Sequence, residues 1–261
     1  MLQVLQLIMN QIQDSRLMML KVLGSSSKGN CYILENESEA LILEAGIKFQ
    51  DVKKALNWNI AKVKGCLVTH RHGDHSKYIK DLAGCFYTLA LQDVFDFRSV
   101  TGNKLVPITP GSRYKCGNFK IIPFEAHHDV PCVGYLIDHP DMGTLMFLTD
   151  SYECDYRFSD LQHVLIECNY SDKYLVEAIN EGRTFARQRD RLLKSHLSLP
   201  GCLEFLNTSD LSKVKEIVLI HLSSENSNAD EFVKAVEDDA RKPTYVAYPG
   251  AEIDMTRTYY G

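Results

Sequence analysis

The chain has 261 residues, of which 45% are hydrophobic and 24% charged, with a formal net charge of −5. This is enough for one large or two small domains, and the globular balance excludes disordered and fibrous classes. The acidic total excludes a uniformly basic nucleic-acid coat but leaves room for a local basic patch, and no apolar run nears the roughly 18 residues of a membrane span.

Leu2, Leu5, Ile8, Met9 and Ile12 recur at helical spacing, so a short amphipathic helix is expected within residues 1–18, an extension ahead of the main domain at 19–261. The segment lacks a basic n-region and a small-residue cleavage site. A second reading takes Met19 as the natural start. Strands are then expected at 20–23, 31–34 and 40–43, the first two joined by the small-residue turn Gly24-Ser25-Ser26-Ser27-Lys28-Gly29-Asn30. A helix is expected over 48–57, a short buried strand over 64–69 and a helix around 76–83. Strands follow at 85–89, 104–108, 119–126, 132–138, 144–149, 164–166 and 217–220. Helices are expected at 172–194, 199–206 and 229–239. This mixture of α and β layers, without a linker, reads as one compact domain. The eight cysteines are scattered and form no CxxC, the pattern of a reduced, cytoplasmic chain.

The chemistry is concentrated in His70-Arg71-His72-Gly73-Asp74-His75, which caps a buried strand. Imidazole nitrogen and carboxylate oxygen are ligands that zinc, manganese and iron accept. At a strand end, side chains two apart point the same way, so His70 and His72 can meet one ion. Asp74 and His75, past the turn at Gly73, can face a second. His128 continues the face of Ile122, Phe124 and Ala126, with His127 as the alternative. His139, beside Pro140-Asp141, and His163, beside Gln162, read as surface residues.

Arg183, Arg187, Arg191 and Lys194 recur at i, i+4, i+8 and i+11, which places four cations on one face of the expected helix just before His196. Such a stripe is either a solvated face or a phosphate-tracking surface. The turn at 24–30, represented by Ser26, could form a backbone anion nest.

The motif His70-x-His72-x-Asp74-His75 after Leu-Val-Thr resembles the signature of the metallo-β-lactamase superfamily. The Gly24–Asn30 turn, Leu43-Glu44-Ala45-Gly46, His128-Asp129 before Val133-Gly134-Tyr135, Thr149-Asp150, Glu167-Cys168-Asn169 and the His-Leu-Ser triplets at 196–198 and 221–223 are similar to its YycJ/WalJ branch. The resemblance implies a four-layer αββα sandwich. It also implies two divalent ions, zinc or manganese, with His70, His72 and His128 on one, Asp74, His75 and His221 on the other, and Asp150 between them. Two such ions suit phosphodiester cleavage, and the branch is regarded as DNA exonucleases. The expected function is therefore a dinuclear phosphodiesterase acting on nucleic acid, DNA rather than RNA, without a membrane partner. A small-molecule hydrolase of thioesterase or lactonase type is the alternative. Asp74, His196 and Glu167 are the expected catalytic residues, His196 as a proton donor or phosphate-binding group oriented by Glu167 and not a metal ligand. Arg183, Arg187, Arg191, Lys194, Ser26 and Asn169 are the expected substrate contacts. Three departures stand out: Glu44 where the superfamily has Asp, Ser76-Lys77 where it has Gly-Leu, and Tyr170 where the branch has His.

Overall fold

The computed structural model describes residues 17–257, with the backbone alone for 186–188. The helix expected near the N-terminus therefore lies outside the described residues. Met18 is already part of the fold: it is buried, and its N–H donates to Thr256 Oγ1 at 3.0 Å.

The first half of the chain builds one sheet. β1 (Met19–Gly24), β2 (Cys31–Glu35) and β3 (Ala40–Leu43) are antiparallel neighbours. After α1 (Phe49–Ala55), the strands β4 (Val63–Leu67), β5 (Thr88–Ala90) and β6 (Leu105–Pro107) add in parallel. The crossovers carry α2 (Gly73–Ser76), α3 (Ile79–Cys85) and α4 (Gln92–Arg98). The second half repeats the plan. β7 (Tyr114–Cys116), β8 (Phe119–Ala126), β9 (Cys132–His139) and β10 (Gly143–Leu148) are antiparallel, and β11 (Leu161–Glu167), β12 (Glu216–Ile220) and β13 (Thr244–Val246) extend them in parallel. Their connections hold α5 (Asp172–Asn180), α6 (Ala186–Leu192), α7 (Leu199–Thr208) and α8 (Ala229–Ala240). A last strand, β14 (Glu252–Asp254), returns to pair with β1, so each sheet has seven strands.

Alternating residues of the two sheets, among them Leu34, Leu43, Leu67, Ile121, Tyr135, Phe147 and Val218, fill the space between them. The outer face of the first sheet packs on Val52, Leu82 and Phe95 of its helices, and that of the second on Cys202, Phe205, Phe232 and Val236. The result is the expected αββα sandwich.

The helix expected over 172–194 is two helices. Gly182, at φ 72°, turns the chain, and Thr184 is buried with its hydroxyl donating to Asn226 Oδ1 at 2.9 Å. The four cations therefore do not share one helical face, since Arg183 sits in the turn. The strand expected at 85–89 starts only at Thr88, because Cys85 still closes α3. His139 and His163 are not surface residues. His139 is 2% exposed and packs on the Phe119 ring, and His163 is fully buried, hydrogen-bonded to the Glu216 carboxylate and to the Met142 carbonyl. Among the described residues, no helix is long and apolar enough to cross a membrane.

Candidate metal centre

The site forms where strands end. Glu44 follows β3, His70 lies beyond β4, His128 beyond β8, Asp150 beyond β10 and His221 beyond β12. In parallel sheets the carboxyl ends of strands are where loops diverge and open a crevice. Glu44, Asp150 and His221 leave their strands with φ of 70°, 49° and 53°. Positive φ is uncommon for residues with a Cβ and collects at functional sites. Here it turns three polar side chains inward together.

Close backbone approach holds the motif loop. A Cβ on Gly46 would lie 1.7 Å from the carbonyl oxygen of Asp74, so only glycine fits there. The second sheet grips the same segment: Tyr135 donates its hydroxyl to Val68 O at 2.7 Å, and Val133 N–H donates to Thr69 O at 3.2 Å. Ser76, one of the departures from the family pattern, donates to the carbonyls of Arg71 and His72, both at 2.8 Å.

Among the described residues, two sets of ligand-type atoms correspond to the expected ligands, each within 4.8 Å: His70, His72, His128 and Asp150, and Asp74, His75, Asp150 and His221. Asp150 belongs to both, and also to a third such group with Glu167, His196 and His221, while His127, Glu153 and Asp155 form a fourth apart from it. His72 Nδ1 is 3.1 Å from His70 Nε2 and 3.1 Å from His128 Nε2. Two nitrogens on one tetrahedral zinc, each about 2.0–2.1 Å from it, lie roughly 3.3 Å apart. In the second set, Asp150 Oδ2 is 3.0 Å from His75 Nε2, and Asp74 Oδ2 is 3.4 Å from His221 Nε2. Among the described residues, that last nitrogen is buried without a hydrogen-bond partner.

Each imidazole is held from behind, an arrangement that fixes ring orientation and tautomer at metal sites. Thr69 Oγ1 is 2.9 Å from His70 Nδ1, and Asp129 Oδ1 is 3.4 Å from His72 Nε2. Glu44 Oε1 faces His75 Nδ1 at 3.5 Å, and Glu167 Oε1 faces His221 Nδ1 at 3.0 Å. His128 Nδ1 lies 2.8 Å from the Ser195 carbonyl and so donates to it, which leaves Nε2 as the lone-pair nitrogen. His127 points elsewhere, to Asp155 at 2.6 Å, so the geometry favours His128 between the two alternatives.

The electrostatics fit a divalent cation. Burial and then the neighbouring His75 hold the His70 imidazole well below its usual value, and ligation needs the neutral ring. Burial works against charge on His75 and His221 too. There the Asp150 carboxylate and its neighbours outweigh it and raise both well above the ordinary range. Four carboxylates, Glu44, Asp74, Asp150 and Glu167, thus demand positive charge at the second set.

His196 stands beside the two sets, with Nδ1 2.7 Å from Glu167 Oε1 and 3.4 Å from Asp150 Oδ1. Burial disfavours its charged form, but the Glu167 carboxylate and the Asp150 hydrogen bond prevail and carry it up to about 9. Glu167 is fully buried and also accepts from the N–H groups of Leu197 (3.0 Å) and Ser151 (3.3 Å).

The expected substrate contacts are scattered. Arg191 Nε is 3.6 Å from Asp129 Oδ2, at the edge of the first set. Arg183 is engaged by Glu181 at 2.7 Å and Glu225 at 3.4 Å, and Lys194 is exposed. The Arg187 side chain lies outside what is described. Asn169 donates to the His221 carbonyl at 2.8 Å and so supports the site from within. In the turn at 24–30, the N–H groups of Lys28, Gly29 and Asn30 are engaged within the protein. Ser26 accepts from the N–H groups of Lys28 and Gly29, and Asn30 N–H donates to Asp74 O. Ser25, not Ser26, touches the centre, accepting from His221 N–H at 2.8 Å. Asn30 was not foreseen: its buried amide donates to Asp74 Oδ2 at 3.3 Å and lies 3.0 Å from His75 Nε2. Its only sequence signal was its place at the end of the glycine–serine turn.

The family described as the β-lactamase superfamily domain matches residues 44–222, and the chain belongs to it. Fold and family together define a metal-dependent hydrolase. Within that class the chain is similar to exodeoxyribonuclease WalJ of Streptococcus pneumoniae serotype 2, with 26% identity over 224 residues, 79% of this chain and 82% of that one. It is also similar to exodeoxyribonuclease YycJ of Bacillus anthracis, at 23% identity over 79% and 83%. These resemblances agree with the YycJ/WalJ-like motifs. Among solved structures, the metallo-β-lactamase fold protein YhfI of Bacillus subtilis superposes with a TM-score of 0.69 and 17% identity, covering 91% of this chain and 99% of that one.

Proposed function

We propose that the chain is a dinuclear metal-dependent phosphodiesterase that acts as a DNA exonuclease, with residues 19–261 as the hydrolase unit. The observation that carries this reading is the His196–Glu167 pair, an imidazole outside the two expected ligand sets, held beside them at 2.7 Å from a buried carboxylate. A phosphodiester, once attacked, must release an alkoxide, and a charged imidazole beside the centre protonates it. The exodeoxyribonuclease names of the relatives give the same substrate class.

His70, His72 and His128 would hold one ion, Asp74, His75 and His221 the other, with Asp150 shared. Bound there, two divalent ions supply Lewis acidity to the phosphoryl oxygens and an activated water at neutral pH. Asp74, whose side chain is 21% exposed, orients the attacking water from the second set. Glu167 holds the His196 ring by Nδ1 and keeps it charged, which leaves Nε2 to give its proton to the departing oxygen. Arg191, at the rim beside Asp129, draws the phosphate backbone towards the centre.

Elemental analysis after reconstitution with zinc or manganese, followed by assays on end-labelled DNA, end-labelled RNA and a thioester, tests this. Two ions and shortening of DNA from one end are expected. Thioester turnover without nucleic-acid cleavage would overturn it in favour of the small-molecule hydrolase.

A further inference from the structure

Beside the metal centre lies an aromatic side chain that the core does not use. Phe97, near the end of α4, is 57% exposed, whereas Val94 and Phe95 of the same helix are buried. Two guanidinium groups lie over its ring: the Arg71 Cζ is 4.8 Å from the ring centroid and the Arg98 Cζ 5.3 Å. Both cations are pinned. Arg71 stands between the ligand-type residues His70 and His72 and pairs with Asp93 at 3.1 Å. Arg98 donates to Ser76 Oγ at 2.7 Å and to the Arg71 carbonyl at 2.8 Å. The exposed ring is therefore fixed relative to the motif loop by the same side chains that brace that loop.

We propose that Phe97, with Arg71 and Arg98, is a stacking platform for the nucleobase next to the phosphate held at the metal centre. The proposal rests on the phosphodiesterase reading above and names a subsite of it. An isolated exposed aromatic needs no explanation. This one combines three features of single-strand recognition: an exposed aromatic ring, planar cations over it and, on the reading above, a phosphate-processing centre next to the loop that Arg71 and Arg98 brace. Bases of any sequence stack on such rings, and arginine adds cation–π attraction and charge for the backbone. The occupant is a single-stranded end, whose base is free to leave its stack.

The test uses the full chain loaded with metal. Substrates are a single-stranded oligonucleotide, the same strand with abasic sites near its ends, and bis(p-nitrophenyl) phosphate, which has no base. Phe97→Ala should raise KM for the oligonucleotide about tenfold, within the range of one base–aromatic stack. The ratio of kcat/KM for the oligonucleotide to that for the nitrophenyl ester should fall by the same factor. Phe97→Trp should restore it, and abasic sites should penalise the wild type but not Phe97→Ala. A wild type that cuts oligonucleotides while Phe97→Ala is unchanged, or loses equally on both substrates, overturns the platform alone. A wild type that hydrolyses the ester and no oligonucleotide overturns the nuclease reading and this occupant with it.

Discussion

Glu44 Oε1 faces His75 Nδ1 at 3.5 Å, and among the described residues neither buried atom has another hydrogen-bond partner. Two unpartnered polar atoms that face only each other are costly apart and useful together. The longer carboxylate, standing where the superfamily has Asp, also accepts from Thr69 N–H at 3.4 Å through Oε2. One side chain thus links β3, the motif strand and a ring of the second ligand set.

Removing that support should weaken metal binding more than it disturbs the fold. Glu44→Ala is expected to lower affinity for the second ion about 10–100-fold, the usual effect of losing a carboxylate behind a ligating histidine. Glu44→Asp should lose less. Competition with a chromogenic chelator measures both, and unchanged affinity in Glu44→Ala would refute the role.

Asp150 is the residue that the His70–His72–His128 set shares with the Asp74–His75–His221 set. Wild-type protein should take up two ions after reconstitution, and Asp150→Ala should retain at most one and lose most of its activity. Elemental analysis of the two proteins checks this. A wild type that never exceeds one ion would end the dinuclear reading.

How far the sequence revealed this site depended on distance along the chain. His70 to His75 were legible because six consecutive residues cap one buried strand. Asp150 and His221, isolated at the ends of other strands, were legible only through the family resemblance. Asn30 was not legible, because its partner Asp74 is 44 residues away and the contact exists only once β1, β2 and the motif loop assemble. His139 and His163 were misread for the opposite reason. Their polar neighbours signal a surface, whereas the sheet and its loops enclose both rings. The long helix failed at Gly182, where the buried bond of Thr184 to Asn226 outweighed helical periodicity.

The broken helix changes what the cations should do. Arg183 is held by Glu181 and Glu225, so Arg183→Ala should leave the salt dependence of DNA binding unchanged. Arg187→Ala with Arg191→Ala should reduce the log–log salt slope by about 0.7–0.9 for each phosphate that the protein no longer neutralises. Binding titrations over a range of salt concentrations measure the slope. Equal slopes in all variants would make the whole segment a solvated surface.

His139 supplies a pH dependence away from the metal centre. Burial, only partly opposed by Asp141, Glu39 and Asp138, lowers its value below that of an unfolded histidine. The unfolded chain therefore binds this proton more readily, and stability falls as pH drops through about 6.5, the unfolded value. His139→Gln should unfold with a flatter dependence between pH 7 and 5 than the wild type in parallel denaturant titrations. Identical slopes would show that the buried ring does not titrate on unfolding.

The last expectation concerns His196. Its Nδ1 is 2.7 Å from Glu167, and Glu167 Oε1 also faces His221 Nδ1 at 3.0 Å. The same oxygen thus orients a ligand-type histidine and the proposed proton donor. Removing the carboxylate would disturb both, so the histidine is the cleaner test. His196→Ala should keep its full metal content, because neither of the two expected ligand sets includes it. Its kcat should fall about 10²–10⁴-fold, the range of general acid–base catalysis. A phosphodiester with a nitrophenolate leaving group should recover part of that loss, since nitrophenolate departs without protonation. Loss of one ion from His196→Ala would make the residue a ligand, and wild-type turnover would remove it from the mechanism. Partial recovery with the better leaving group, at full metal content, is the result that only a proton donor gives.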